Sequence, residues 1–78
     1  MISLAQAQAN VRTALRDANI DTADMDARLL LEAATGLDRV AIMMAPETQL
    51  SAEQAAQLRA LTERRLLNEP MAYILGRR

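Results

Sequence analysis

At 78 residues, 51% of them hydrophobic, the chain has room for one domain, near the small end of what folds without staples. It holds no cysteine and no histidine, which excludes disulfides, thiolate metal sites and the usual acid–base group at neutral pH. A net charge of −1 lacks the basic excess of a nucleic-acid binder, and no apolar run approaches the roughly 18 residues of a membrane span.

With Tyr73 as the single aromatic residue, the core has to be built from Ala, Leu, Ile, Val and Met, which favours closely packed helices over a sheet. Charge is uneven along the chain. Residues 1–38 carry six acids and three arginines, whereas residues 39–78 carry four acids and six arginines. All nine basic residues are arginine, a bias that a GC-rich coding sequence explains without any recognition purpose. The N-terminus lacks a basic-then-apolar signal sequence, so the expected location is the cytoplasm.

Ser3 followed by Gln6 has capping-box spacing and opens the first helix, whose Leu4, Ala7, Val11, Ala14, Leu15 and Ala18 form one stripe. Asn19 to Thr22 breaks the pattern and supplies N-caps for a second helix, about Thr22 to Thr35, ended by Gly36. The apolar arc of this helix is wide (Ala23, Ala27, Leu29, Leu30, Leu31, Ala33, Ala34), which predicts a central place in the bundle. A short third helix fits Asp38 to Met44, capped by Asp38 and stopped before Pro46. Ser51 and Gln54 repeat the capping-box spacing and open a fourth helix to about Leu67, which Asn68 terminates. Pro70 suits the first turn of a short fifth helix through Leu75. The reading is all-α, a compact bundle of about five short helices.

Two charges sit on faces that should be buried. Asp26 lies inside the apolar arc of the second helix, and Arg65 lies in the stripe of the fourth, flanked by Leu58, Leu61 and Thr62. A buried charge is expensive unless paired, so Asp26 and Arg65 are expected to pair across the core and fix the register of their helices. The alternative is a narrower stripe, with Arg65 carrying its head to water. Arg59 and Arg64, with Arg77 and Arg78, form a candidate basic patch for an acidic partner. Met25, Met43, Met44 and Met71 are expected to fill the core rather than to make a binding surface. No catalytic carboxylate pair, phosphate loop, nucleophile–base arrangement or metal-ligand spacing is present, so no catalytic, cofactor-binding or metal residue is assigned.

Asp26-Ala27-Arg28-Leu29-Leu30-Leu31-Glu32, the Thr35-Gly36 helix end, Arg64-Arg65 and Glu69-Pro70-Met71-Ala72-Tyr73-Ile74-Leu75-Gly76 together resemble the N-terminal region of the HemK/PrmC family. These are the bacterial release factor glutamine methyltransferases. The resemblance covers essentially the whole chain, and the Glu-Pro-x-Ala-Tyr-Ile-Leu-Gly segment is its most specific part. It implies the N-terminal domain of a two-domain methyltransferase. Residues 1–75 would form a helical substrate-recognition domain, and residues 76–78 would begin a linker to a catalytic domain that binds S-adenosylmethionine. That enzyme methylates the glutamine of the Gly-Gly-Gln loop in peptide-chain release factors. The implied partners are release factors and the chain's own C-terminal catalytic domain, with no direct contact to nucleic acid or membrane. The chain accordingly reads as a domain cut at its linker. Its resemblance gives Arg59 and Arg64 a place as partner contacts, and Glu69, Pro70, Tyr73 and Gly76 a place as linker anchors, with Tyr73 holding the turn against the bundle.

Two other readings compete. A free-standing adaptor or dimerisation module requires a chain that ends naturally at Arg78. A helix-turn-helix DNA binder would use the second and third helices, but the third offers a groove only Arg39, and the acidic first half repels phosphate.

Overall fold

The first helix, α1 (Leu4–Asp17), starts where Ser3 turns extended and its Oγ accepts a hydrogen bond from the Gln6 amide. The computed structural model describes residues 2–76 of the chain. Only half of the expected capping box forms here, because the Gln6 side chain donates instead to Asn10 Oδ1 at 2.8 Å. The free amides of the first turn are satisfied from a distance. Leu4 N–H donates to the Thr48 carbonyl and Ala5 N–H to that of Pro46, while Leu50 N–H donates to Ile2. The loop before the fourth helix is thereby stitched to the start of the first, and Leu50 is buried beneath it.

Two helices end in the same way, through an asparagine in the left-handed region. After α1, Asn19 has φ 62°, Asn19 N–H donates to Arg16 and Ile20 N–H donates to Leu15. This pair of bonds closes the helix with a side chain that tolerates positive φ. The second helix, α2 (Ala23–Thr35), ends at Gly36 with φ 74°. Nothing lies within 4 Å of a Cβ built there, so glycine is favoured by its backbone angle and not by lack of space.

α2 is the central helix. It lies against both α1 and α4 (Ala52–Leu66), and Ala27, Leu30 and Leu31 are completely buried. They meet Leu4, Ala7, Val11 and Leu15 of α1 and Leu58 and Leu61 of α4 in one core cluster. The buried arc is narrower than the sequence suggests, since Leu29 is half-buried and Ala33 is exposed. The third helix, α3 (Arg39–Met44), is capped by Asp38, whose Oδ1 accepts from Ala41 N–H at 2.8 Å, and buries only Ile42. α4 has the full capping box: Ser51 Oγ accepts from Gln54 N–H, and Gln54 Oε1 accepts from Ser51 N–H. A short α5 (Met71–Ile74) closes the bundle, with Pro70 as its N-cap rather than in its first turn, and with Ile74 buried.

The result is all-α, five helices with no named strand among the described residues; an isolated bridge joins Ser3 to Gln49. Its Cα radius of gyration, 11.5 Å, is that expected of a folded chain of this length. Three of the four methionines assigned to the core are instead exposed: Met25, Met43 and Met44. The cause is that α3 is too short to bury more than one side chain, and Met25 projects from α2 beside it.

Leu30→Ala is expected to cost about 2–5 kcal/mol in urea unfolding, because the cavity it leaves is enclosed by α1 and α4. Leu67→Ala, at an exposed position, is expected to stay within about 0.5 kcal/mol of wild type. Equal losses at the two sites would contradict the placement of the core.

Candidate functional site

The chemically distinctive cluster lies where α2, α4 and the start of α5 converge. Asp26 is 2% exposed, and its Oδ2 accepts from Arg65 Nε at 2.9 Å and from Thr22 Oγ1 at 2.7 Å. Both donors are set by local structure. Thr22 is the N-cap of α2, but its hydroxyl makes no capping bond and points one turn on to Asp26. Arg65 stands in the last turn of α4 on the face that carries Leu58, Leu61 and Thr62. Its Nη1 donates at 3.0 Å to the Glu69 carbonyl, so one guanidinium bridges a buried carboxylate and the backbone leading into α5.

A second arginine–carboxylate pair sits beside the first. After α4, Asn68 has φ 66°, Asn68 N–H donates to Arg65 and Glu69 N–H donates to Arg64. This closure places the side chains of residues 64 and 69 next to one another, a contact usually made by apolar residues. Here Arg64 Nε and Nη2 reach Glu69 Oε2 and Oε1 at 2.7 and 2.9 Å, a two-pronged match of guanidinium to carboxylate. Arg64 Nη2 also lies 3.5 Å from the Tyr73 carbonyl. The hydrogen bond from Arg64 holds the Glu69 carboxyl below its ordinary range, against a smaller opposing effect of desolvation, and the same bond raises Arg64.

The residues singled out from sequence therefore divide. Asp26 and Arg65 are brought together, as are Arg64 and Glu69. Arg59 is exposed and makes no ion pair among the described residues. It lines a groove of about 410 Å³ between α1 and α4, with Val11, Leu58 and Leu66. Arg59 and Arg64 do not form a patch of two free cations, because Arg64 is spent on Glu69. Arg77 and Arg78, and with them most of the 76–78 linker, lie outside the described residues. Tyr73, 70% exposed as a residue, does not hold the turn against the bundle; Ile74 is the buried residue, and Arg64 and Arg65 tie the backbone. Gly76, φ 70°, ends α5. Pattern reading overlooked Thr22 as a donor to Asp26, although their spacing of four within one helical turn is the available signal.

No group of three or more carboxylates able to hold a metal ion exists among the described residues. No helix among them is long and apolar enough to cross a membrane. The two described glycines sit in open space at helix ends. What the cluster can do is mechanical: it clamps the segment around Glu69 to the core of the bundle.

The described residues thus form a small five-helix bundle with a clamped C-terminal segment. The chain belongs to the PrmC N-terminal domain family, whose model matches residues 6–76. It is 43% identical over 77 residues to a release factor glutamine methyltransferase from Caulobacter vibrioides, covering 99% of this chain and 27% of that protein. The counterpart from Bradyrhizobium diazoefficiens is 36% identical over 97% of this chain and 26% of its own length. That from Escherichia coli is 49% identical over 65% of this chain and 18% of its own. The chain thus spans about a quarter of the length of the relatives it matches. No solved structure matches it.

Asp26→Ala, which strands the Arg65 cation, is expected to cost about 3–5 kcal/mol in denaturant unfolding. If both Asp26→Ala and Arg65→Leu were as stable as wild type, the pair would have no structural role. Glu69 gives a pH-dependent counterpart. Its folded pKa is lowered, so its stabilisation is present above the unfolded value of about 4.3 and is lost as pH falls through the folded value. Glu69→Gln should therefore melt below wild type at neutral pH and converge with it as pH falls through the lowered folded value of Glu69.

Proposed function

We propose that this chain is the release-factor-recognition domain, residues 1–75, of a two-domain protein-glutamine methyltransferase. The observation that carries the reading is the family match over residues 6–76. Relatives named release factor glutamine methyltransferases, some four times as long, supply the reaction class. In this reading the parent enzyme methylates the glutamine of a Gly-Gly-Gln loop in the cytoplasm. The S-adenosylmethionine that supplies the methyl group is held, in this reading, by the catalytic domain of the parent enzyme.

The physical logic is one of remote binding. A glutamine on a short glycine loop presents little surface of its own, so contacts made by a second domain position it and raise specificity. Such positioning needs the recognition domain held at a defined angle to the catalytic domain. Ion pairs and backbone bonds at Arg64, Arg65 and Glu69 support that role, with Pro70, Tyr73 and Gly76 carrying the chain out of the bundle. On the α4 face, Arg59 remains available to a partner as a rim charge, whereas Arg64 serves the clamp.

Calorimetric titration of the 78-residue chain with an unmethylated release factor should give saturable binding. Absence of binding at high partner concentration would remove autonomous recognition and leave a scaffold for the catalytic half. Arg59→Glu should weaken binding by about 0.2–1 kcal/mol, as rim charges do, with an unchanged melting temperature. Arg64→Glu should lower the melting temperature, because it sets two carboxylates against each other at residues 64 and 69.

A further inference from the structure

The chain has no cysteine and no tryptophan, so its five methionine thioethers are the groups that a two-electron oxidant attacks. Burial sorts the four described ones into two kinds. Met25, Met43 and Met44 are 50%, 67% and 80% exposed, whereas Met71 is partly buried and packs against the core cluster. The cause is local. α3 is six residues long and gives its one buried position to Ile42, which leaves Met43 and Met44 in solvent. Met25 of α2 and Met43 line one open cavity of about 430 Å³, room enough for a small peroxide to enter.

Oxidation means different things in the two environments. A thioether is apolar, and its sulfoxide is a polar group with an acceptor oxygen. At Met71 that oxygen would stand against the apolar cluster without a partner and cost stability. At Met43 and Met44 water solvates it, and the core is left as it was. The change falls on the surface instead. Val40, Met43 and Met44 are spaced three and four apart and share one exposed face of α3, which oxidation makes polar.

We propose that Met43 and Met44, with Met25 as a slower third, are a reversible oxidation site for hydrogen peroxide. Their sulfoxides change the polarity of the α2–α3 surface while the bundle stays folded. In the step, a sulfur lone pair attacks one peroxide oxygen, and the S–O bond forms as the O–O bond breaks. The sulfur loses two electrons and the peroxide gains them. The departing hydroxide takes the proton of the transferred oxygen and leaves as water. Return needs a dithiol, which gives up two hydrogens, becomes a disulfide and carries the oxygen off as water. The proposal does not depend on the recognition function.

The test is a hydrogen peroxide time course on the 78-residue chain, with each sulfoxide located by peptide mass spectrometry. Cleavage after arginine puts Met25, the Met43–Met44 pair and Met71 on separate peptides, residues 17–28, 40–59 and 66–77. Met43 and Met44 should take up oxygen first and Met25 next. Met71 should follow roughly tenfold more slowly, because it waits for α5 to open. After the fast phase the melting temperature should be unchanged and retention on a phenyl column shortened. Sulfoxide reductases for both epimers, with dithiothreitol, should restore mass and retention. Met43→Leu/Met44→Leu should lose the fast uptake and keep its retention through that phase. Met71 reacting as fast as Met43 would overturn the proposal. So would a melting temperature that falls in step with the Met43 sulfoxide, or a fast phase that leaves retention unchanged or resists reduction.

Discussion

A carboxylate buried to 2% exposure obliges the molecule to provide for it, and much of this domain's geometry is set by how Asp26 is served. Left alone, the charge would cost several kcal/mol, a large share of the total stability of a 78-residue chain. Thr22 answers from the start of the same helix and Arg65 from a helix 39 residues away in sequence. Such a pair is weak evidence for net stability, because apolar residues of similar volume often do as well. Its stronger claim is to specificity. The Nε–Oδ2 bond forms only when α2 and α4 meet in one register, whereas Ala27, Leu30 and Leu58 alone would tolerate a slip.

The same guanidinium extends the constraint toward the C-terminal end. Arg65 reaches the Glu69 carbonyl while Arg64 grips the Glu69 side chain, so the turn after α4 is fixed from both sides of its backbone. In the function proposed above, this is where the chain leaves the recognition domain. Holding the exit segment firmly converts affinity on one domain into position on the other, which is the use that remote binding energy requires.

Helix number, order and most caps were legible because each rests on local pattern: Ser51 with Gln54, Asp38 before Arg39, Gly36 after Thr35. The Asp26–Arg65 contact was also visible, since each was the charged residue that violated its own apolar face. Long-range terms were not visible. Gln6 turns its side chain to Asn10, and the amides of Leu4 and Ala5 are met by the Thr48 and Pro46 carbonyls; nothing near Gln6 in sequence announces either. Met43 and Met44 look like core residues by hydropathy, yet α3 is only six residues long and Ile42 takes the buried position. Tyr73 misled in the same way: it is the one aromatic residue, but its neighbour Ile74 points inward.

The most direct measurement is the solvent-exchange rate of the Arg65 Nε–H proton by nitrogen-resolved NMR, with exposed Arg59 as the internal reference. A buried bond to Asp26 predicts an Arg65 resonance that exchanges far more slowly than that of Arg59 and loses its protection in Asp26→Asn. Exchange at the rate of Arg59, unaffected by that substitution, would show that the two helices are not joined by this pair.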